Sequence, residues 1–281
     1  MRLSSIHSMI LVGCAALSSA GCAASSDAEP SKTTNGALVD GVKSSVTGDG
    51  VIGLMLDIYD GKSHGSCSAT LIADNVILTA AHCVVNKAGT VVNALAFDGT
   101  SYEARTWQSA LLPTTSAVVY PGYDVKAQVD YAKADGWQND LAILVLPVAA
   151  PAGIRRVPLP ARESDDLYAI GSTVTLTGYG VTSAKANDGG RKRNGSAPIL
   201  DSFARHVVLE KSDGATSACF GDSGGPIRAR TADGPILGVA SWVHADLQGG
   251  VELCQGESIY MRVSAYRDFI DAVVGAFAPP R

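Results

Sequence analysis

The hexapeptide Gly221-Asp222-Ser223-Gly224-Gly225-Pro226 places one serine among three glycines. Glycine adopts backbone conformations that other residues avoid, so the stretch predicts a tight turn that exposes the Ser223 hydroxyl beside clustered backbone N–H groups. Taken alone, the pattern also fits an ordinary glycine-rich turn. Whether Ser223 is a catalytic residue therefore depends on which other chemically active residues the rest of the chain contains.

Two further motifs lie upstream, Leu78-Thr79-Ala80-Ala81-His82-Cys83 and Asn139-Asp140-Leu141-Ala142-Ile143-Leu144. A lone histidine is more often a core or surface group than a catalyst, and Asp140 could simply open a strand. However, a carboxylate that enters a buried strand needs hydrogen-bond partners. A serine, a histidine and an aspartate are the residue types that a nucleophile, its general base and the orienting carboxylate require.

The surrounding chain is rich in short β-type runs that glycine, proline and aspartate separate. This texture predicts an all-β protein rather than an alternating βαβ fold. A proline-rich stretch, 147–160, divides the strands into two halves. Examples of these runs are Val51–Ile58, Ser68–Ile72, Val76–Thr79, Ser116–Tyr120, Leu141–Leu146, Val174–Thr177, His206–Leu209 and Ile236–Ser241.

The last segment of the chain has helical periodicity. Apolar residues recur at helical spacing over 265–277, and Ser264 before them is a candidate N-cap. One C-terminal helix is therefore predicted.

Together the three motifs resemble the trypsin/chymotrypsin family of serine endopeptidases, because their order along the chain is His, Asp, Ser. The resemblance implies an all-β fold of two six-stranded antiparallel barrels with a C-terminal helix. The first barrel would span about 38–150 and the second about 160–263, within a peptidase domain over 38–281.

The resemblance also implies the chemistry of peptide-bond hydrolysis through an acyl-enzyme. Ser223 would be the nucleophile, His82 its general base, and Asp140 the group that holds the histidine tautomer. The backbone N–H groups of Gly221 and Ser223 would form the oxyanion hole. Ser241 would support Asp140. An alternative is a catalytically weak homologue that serves as a binding or adhesion protein.

The cysteines fit the same family. The family pairs the cysteine after the histidine with one upstream, which implies a Cys67–Cys83 disulfide, and it implies a Cys219–Cys254 disulfide near the serine. Without the amino-terminal cysteines these four form an even set, as expected in an oxidising compartment.

Substrate preference is set in this family by a pocket next to the serine. By family position Ser217 lies at its base, Val243 and Ser258 replace glycines of deep pockets, and Ser241-Trp242 lies beside the substrate. This set favours small or apolar side chains and disfavours Lys and Arg. The Val243–Cys254 loop, with His244, Asp246 and Glu252, is expected to form a solvated rim; the alternative is that one of its acids folds inward and restores affinity for basic side chains.

Activation in the family frees an amine that pairs with the carboxylate before the nucleophile, here Asp222. The nearest match to the new terminus is Leu38-Val39-Asp40-Gly41, in which Leu and Asp replace the usual Ile and Gly. Cleavage would follow Ala37.

The amino terminus is predicted to be a signal peptide, 1–21, with a short apolar stretch. Small residues before Cys22 resemble a bacterial lipoprotein signal, which implies lipidation of Cys22; an ordinary signal peptide is the alternative. Residues 22–37 are small and polar and predict a flexible tether. The protein would be exported, either anchored to the bacterial envelope or extracellular after processing.

Composition excludes other classes of function. The 281-residue chain is 46% hydrophobic and 17% charged with a net charge of −5, which excludes a disordered polymer. The sequence has no basic stripe of the kind that nucleic-acid binding requires. The basic cluster Arg191-Lys192-Arg193 is expected in a solvated loop. The five histidines show no ligand spacing, so neither a metal nor another cofactor is expected. Partners would be protein or peptide substrates of a monomer.

Overall fold

The computed structural model describes residues 38–59, 63–112, 116–125, 139–212, 214–229, 233–243 and 254–277. Almost all regular structure in these ranges is β-strand, which confirms the predicted all-β fold. The strands are β1 Val42–Lys43, β2 Val51–Tyr59, β3 Ser63–Ala73, β4 Val76–Thr79, β5 Asn93–Gly99, β6 Arg105–Leu111, β7 Ala117–Val119, β8 Ala142–Val145, β9 Thr173–Gly178, β10 Arg193–Ser202, β11 His206–Leu209, β12 Pro226–Ala229, β13 Ile236–Val243 and β14 Ser258–Arg262.

The first sheet contains seven antiparallel strands in the order β6-β5-β2-β3-β4-β8-β7. Its end strands, β6 and β7, are not paired with each other among the described residues. This half is therefore a half-barrel of seven strands rather than the predicted closed barrel of six. Strands β4 and β8 are buried along their whole length, which explains their continuous apolar sequences.

The second sheet follows the order β1-β10-β11-β14-β13-β12-β9, and an additional pairing of β10 with β9 closes six of its strands into a barrel. The predicted second barrel is therefore present. Strand β1 pairs with β10 through Val42 and Asn194. The amino-terminal strand thus belongs to the second sheet, although the sequence analysis assigned it to the first barrel.

The chain ends in a 3₁₀ turn, Val263–Tyr266, followed by helix α2, Arg267–Phe277. The predicted C-terminal helix is confirmed, but Ser264 lies within the 3₁₀ turn and is not its N-cap. Ile270 and Val273 are buried in a core cluster that contains residues of both sheets. No helix in the described part of the chain is long and apolar enough to cross a membrane.

The basic cluster is the clearest departure from the sequence analysis. Arg191 is exposed, but Lys192 and Arg193 are each only 1% exposed. Lys192 Nζ lies 2.8 Å from Asp49 Oδ1 and 3.2 Å from Asp98 Oδ1. The prediction of a solvated loop was wrong because carboxylates distant in sequence neutralise this cation in the interior.

Candidate active site

The strand pairing of the first sheet brings His82 and Asp140 together. Thr79 at the end of β4 pairs with Ala142 at the start of β8. Helix α1, Ala81–Val84, follows β4 and carries His82, whereas Asp140 immediately precedes β8. His82 Nδ1 lies 2.6 Å from Asp140 Oδ2, and the His82 backbone N–H donates to Oδ1 at 2.8 Å. The carboxylate thus contacts both the ring and the backbone of the histidine.

Asp140 is 2% exposed and has a third donor. The Ser241 hydroxyl donates to Asp140 Oδ2 at 2.7 Å. Burial works to raise the pKa of Asp140, but the charge and hydrogen bonds of His82 outweigh it, and the pKa is lowered. Burial likewise works to lower the pKa of His82, yet the Asp140 charge and hydrogen bond raise it above 6.5. The imidazole is 36% exposed on its other side.

Asn139 holds the backbone that presents Asp140. Its φ of 51° lies in the left-handed region, where asparagine is tolerated better than most residues. Its side-chain Oδ1 accepts hydrogen bonds from Arg205 at 2.6 Å and from the Tyr266 hydroxyl at 3.1 Å, and Nδ2 donates to the Gly122 carbonyl. This role was not predicted, although Asn139 stands directly before Asp140 in the motif.

The loop that carries Ser223 is attached to the first sheet. The Ser68 N–H of β3 donates to the Ser223 carbonyl at 2.7 Å, and the Ser68 hydroxyl donates to the Gly221 carbonyl at 2.9 Å. Gly224 has a φ of 79°, and a Cβ there would lie 2.1 Å from Thr79 Oγ1. The glycine is therefore required by both its conformation and the close approach of β4.

The backbone around Ser223 leaves two donors available. Gly221 has a φ of 98°, and neither its N–H nor that of Ser223 donates a hydrogen bond within the described residues. Such a pair can stabilise a developing oxyanion. No hydrogen bond joins His82 Nε2 to the Ser223 hydroxyl in this part of the chain, but both side chains line one cavity.

That cavity has a volume of about 300 Å³ and a largely apolar wall. Trp242 and Phe220, which are 48% and 58% exposed, belong to its lining. Phe220 was missed by the sequence analysis, although it directly precedes the glycine-rich hexapeptide. The complete lining is His82, Ala218, Cys219, Phe220, Ser223, Ala240, Ser241, Trp242, Val243 and Cys254.

Ser217 and Ser258 are not in that lining. Both are 1% exposed, and their hydroxyls are 3.0 Å apart. Ser217 donates to the Gly256 carbonyl at 2.9 Å, and Ser258 accepts from the Ala218 N–H at 2.9 Å. The two hydroxyls are therefore buried, and each has hydrogen-bond partners. Of the three residues predicted to set substrate preference, Val243 is the one in the described lining of the cavity, and the roles of the other two stay predictions.

Disulfides join Cys67 to Cys83 and Cys219 to Cys254, the pairs that the resemblance implies. The first of them lies beside His82, and Cys67, His82 and Cys83 form the one close group of metal-ligand residue types among the described residues. Its two sulfur atoms are bonded to each other, so they offer no thiolate. The second disulfide lines the cavity near Ser223.

The residues predicted to act in activation, Leu38 and Asp222, lie beside the strands of the second sheet. Leu38 is 1% exposed, and Val39 exchanges two backbone hydrogen bonds with Ser217, at 3.0 and 3.2 Å. Asp222 is buried and accepts hydrogen bonds from the Gly180 and Cys219 N–H groups. Cys22, with the whole of 1–37, and the rim loop 244–253 lie outside the described residues.

The fold is that of the chymotrypsin-like serine proteases. The sequence profile of the trypsin family matches residues 47–270. The chain therefore belongs to the trypsin family, and its relatives indicate a serine endopeptidase that acts on proteins or peptides. Its two disulfides fit an extracellular protein.

Individual relatives agree with this assignment. Fibrinolytic enzyme isozyme C of Lumbricus rubellus is 28% identical over 224 residues, 73% of this chain and 87% of that protein. A trypsin of Saccharopolyspora erythraea is 27% identical over 228 residues, 75% and 88% of the two chains. The solved structure of HL collagenase has a TM-score of 0.67 at 22% identity, covering 84% of this chain and 98% of that chain. Human heparin binding protein has a TM-score of 0.64 at 19% identity, covering 86% and 99%.

Proposed function

We propose that the protein is an exported serine endopeptidase in which His82, Asp140 and Ser223 form the catalytic triad. The observation that carries this proposal is the 2.6 Å contact between His82 Nδ1 and Asp140 Oδ2, on a histidine that shares a cavity with Ser223. The carboxylate fixes the tautomer in which Nε2 can accept a proton.

The reaction follows from these groups. Ser223 Oγ attacks the substrate carbonyl carbon while its proton passes to His82 Nε2, and the Gly221 and Ser223 N–H groups receive the negative oxygen. The tetrahedral intermediate expels the amine, which takes the proton from His82, and the acyl group remains on Ser223. Water then repeats the sequence and releases the acid.

A fluorophosphonate probe tests the assignment directly. We expect one label per molecule at Ser223, and Ser223→Ala should abolish both labelling and peptide hydrolysis without unfolding the protein. Ser45→Ala is the matched control because Ser45 is exposed and outside the cavity. A Ser223→Ala variant that keeps half of the activity would contradict the proposal.

The cavity supports cleavage after small or apolar residues. Its wall offers Val243 and Ala240, and the described part of its lining contains no carboxylate. We expect a peptide library to be cut after Ala, Val or similar residues, and Val243→Gly to shift the preference toward larger side chains. Val148→Gly, at an exposed valine, is the control. Rapid cleavage after Lys or Arg with slow cleavage after Ala and Val would contradict this preference.

A linked proposal concerns export and activation. Residues 1–21 would direct export, Cys22 would carry a lipid, and cleavage after Ala37 would free the Leu38 amine to pair with Asp222. The backbone bonds between Val39 and Ser217 support this because they hold the new terminus near the base of the nucleophile loop. Ala37 suits the cavity proposed above, so the enzyme could cut its own copies and leave its anchor.

Mass spectrometry of the purified active protein tests the processing. We expect the active species to begin at Leu38. Full activity in a form that still begins at lipidated Cys22 would contradict the activation step but not the triad.

The alternative function is binding without efficient catalysis. Human heparin binding protein shares the fold, and its name describes binding of a polyanion. The net charge of −5 in this chain opposes such a ligand. A correctly disulfide-bonded protein that never labels with the fluorophosphonate would favour a binding role.

A further inference from the structure

The Asp222 carboxylate is buried without a cation in contact. Its Oδ1 accepts the Gly180 N–H at 2.8 Å and its Oδ2 accepts the Cys219 N–H at 2.9 Å. A Cβ at Gly178 or Gly180 would lie 2.1 or 2.5 Å from atoms of this carboxyl group. Both donors are neutral, and within the described residues no cationic side chain forms an ion pair with Asp222. A buried carboxyl group in this situation binds a proton unless a positive charge nearby favours its ionised form.

Arg193 lies on the other side of the same backbone segment. It pairs with Gly178 across strands β10 and β9, and its guanidinium donates to the Gly180 carbonyl at 3.4 Å. The Gly180 residue thus receives Arg193 at its carbonyl and donates to Asp222 with its N–H. The Nε of Arg193 is buried and has no hydrogen-bond partner among the described residues.

The charge of Arg193 is only partly balanced elsewhere. Its guanidinium lies 3.2 Å from Asp188 Oδ2, but the Asp188 side chain is 36% exposed whereas that of Arg193 is 2% exposed. Solvent screens the exposed carboxylate more than the buried cation. Burial raises the pKa of Asp222 to about 7, and the two backbone donors and the Arg193 charge act against that rise.

We propose that Arg193 is a positioning residue that holds Asp222, and through it the Cys219–Ser223 backbone, in the chain that has not been cut. Arg193 favours the ionised carboxylate that the Gly180 and Cys219 N–H groups bind. The uncut chain therefore keeps an ordered pair of N–H donors at Gly221 and Ser223 and a basal peptidase activity. The Leu38 amine adds to this support after cleavage. The inference rests on the proposed triad and extends it to the uncleaved form.

The test compares uncut and cut protein from one preparation. The full chain with Ala37→Arg stays uncut on its own, given the proposed preference for small residues, and a trace of trypsin then cuts it before Leu38. The mass of each form is checked. Arg193→Gln removes the charge, Arg193→Lys keeps it, and Arg191→Gln is the matched control two residues away on an exposed side chain.

In the uncut form, Arg193→Gln should lower kcat for a small amide substrate about tenfold or more, because the oxyanion donors lose their order. KM should stay within about twofold, because the cavity wall is unchanged. The cut form should lose less than about threefold, since the amine replaces the lost cation. Arg193→Lys should restore most of the uncut activity, and Arg191→Gln should leave it unchanged.

A second variant covers the case in which Arg193→Gln does not fold. Asp188→Asn leaves Arg193 in place and removes its competing carboxylate, so the uncut form should become about twofold more active. Three results would overturn the inference: an uncut parent with no activity, equal losses in the uncut and cut forms of Arg193→Gln, or lower uncut activity in Asp188→Asn. A cut parent that does not label at Ser223 would instead overturn the proposed function and the inference with it.

Discussion

Asp140 and Asp222 are both buried aspartates close to the same cavity, but the protein gives their carboxyl groups opposite acidities. Each is 2% exposed. Burial works to raise both pKa values, and at Asp140 the contacting His82 reverses the effect. Asp222 has two backbone N–H donors and a cation beyond a peptide group, and its pKa remains raised to about 7. Burial alone therefore does not determine the charge of a carboxyl group; a charged partner in contact does.

The difference matches the two proposed tasks. A carboxylate that orients a histidine must stay ionised throughout the cycle, and contact with His82 and Ser241 ensures this. A carboxylate that pairs with an amine only after cleavage needs few stabilising contacts before the cleavage occurs. Asp140 thus already contacts its charged partner, His82, in the first sheet. Asp222 in the nucleophile loop would gain its charged partner, the Leu38 amine, only after cleavage.

Asp140→Asn removes the charge of the aspartate that contacts His82. The amide has the same shape but no charge, and it can present an N–H to His82 Nδ1, which favours the wrong tautomer. We expect kcat for a peptide amide to fall about 10⁴-fold with the fold retained. Asp166→Asn, at an exposed aspartate, is the control. A loss below about tenfold would show that Asp140 does not orient the base.

Asp222→Asn tests the raised pKa of Asp222 through the pH dependence of the free energy of unfolding. The carboxyl group has a folded-state pKa of about 7 and a reference pKa of 3.8, so the folded chain binds a proton that the unfolded chain releases. Between these pH values its contribution to the free energy of unfolding decreases as the pH rises. Relative to Asp222→Asn, the parent chain should lose on the order of 3 kcal/mol between pH 5 and pH 8.

Urea unfolding at the two pH values measures this difference, with Ser223→Ala in both chains to prevent self-cleavage. The subtraction removes the titration of His82, which both chains share. Equal changes in the two chains would contradict the raised pKa of Asp222.

Ser241→Ala sharpens the comparison with a smaller change. It removes the 2.7 Å hydrogen bond to Asp140 Oδ2 but leaves both contacts with His82. We expect kcat to fall about tenfold, as for a single hydrogen bond to a charged group. Ser109→Ala on strand β6, outside the cavity lining, serves as the reference. An effect as large as that of Asp140→Asn would mean that Ser241 contributes more than one hydrogen bond.

The pH dependence of hydrolysis gives the smallest expected effect. His82 must be neutral to accept the serine proton, and Asp140 raises its pKa above 6.5. The acid limb of kcat/KM should therefore have its midpoint above pH 6.5 in the parent. In Asp140→Asn the midpoint should be lower, because burial then acts alone on the imidazole. A midpoint that does not move would contradict the coupling between the two groups.

Much of the fold was predictable because its signals are local. The run Val76–Thr79 and the run His206–Leu209 were predicted with the bounds that the structure gives. Strands β1, β5, β6, β10, β12 and β14 are not among the runs named from the sequence. Strand β10, for example, contains Gly195 and Pro198 and gives no apolar alternation. The lack of pairing between the end strands of the first sheet, within the described residues, could not be predicted, because closure depends on pairing between strands distant in sequence.

The candidate site divides in the same way. The motifs around His82, Asp140 and Ser223 were visible because turn glycines and a polar residue at a strand end are local features. The roles of Ser217 and Ser258 in substrate preference stay predictions, since both residues are buried and neither is in the described lining of the cavity. Only the packing of the surrounding chain shows which of two neighbouring residues faces the cavity.

The sequence by itself determined the all-β class, the family and the residues that can carry the chemistry, because strand patterns, turn glycines and short motifs are set by neighbouring residues. The tertiary structure alone decided the state of the buried charges. Lys192 meets Asp49 and Asp98, which are 143 and 94 residues away along the chain, and Asp222 meets Arg193 through Gly180. Desolvation and Coulomb energy depend on distance in space, so no local pattern could show that a basic cluster was buried or that two aspartates would differ.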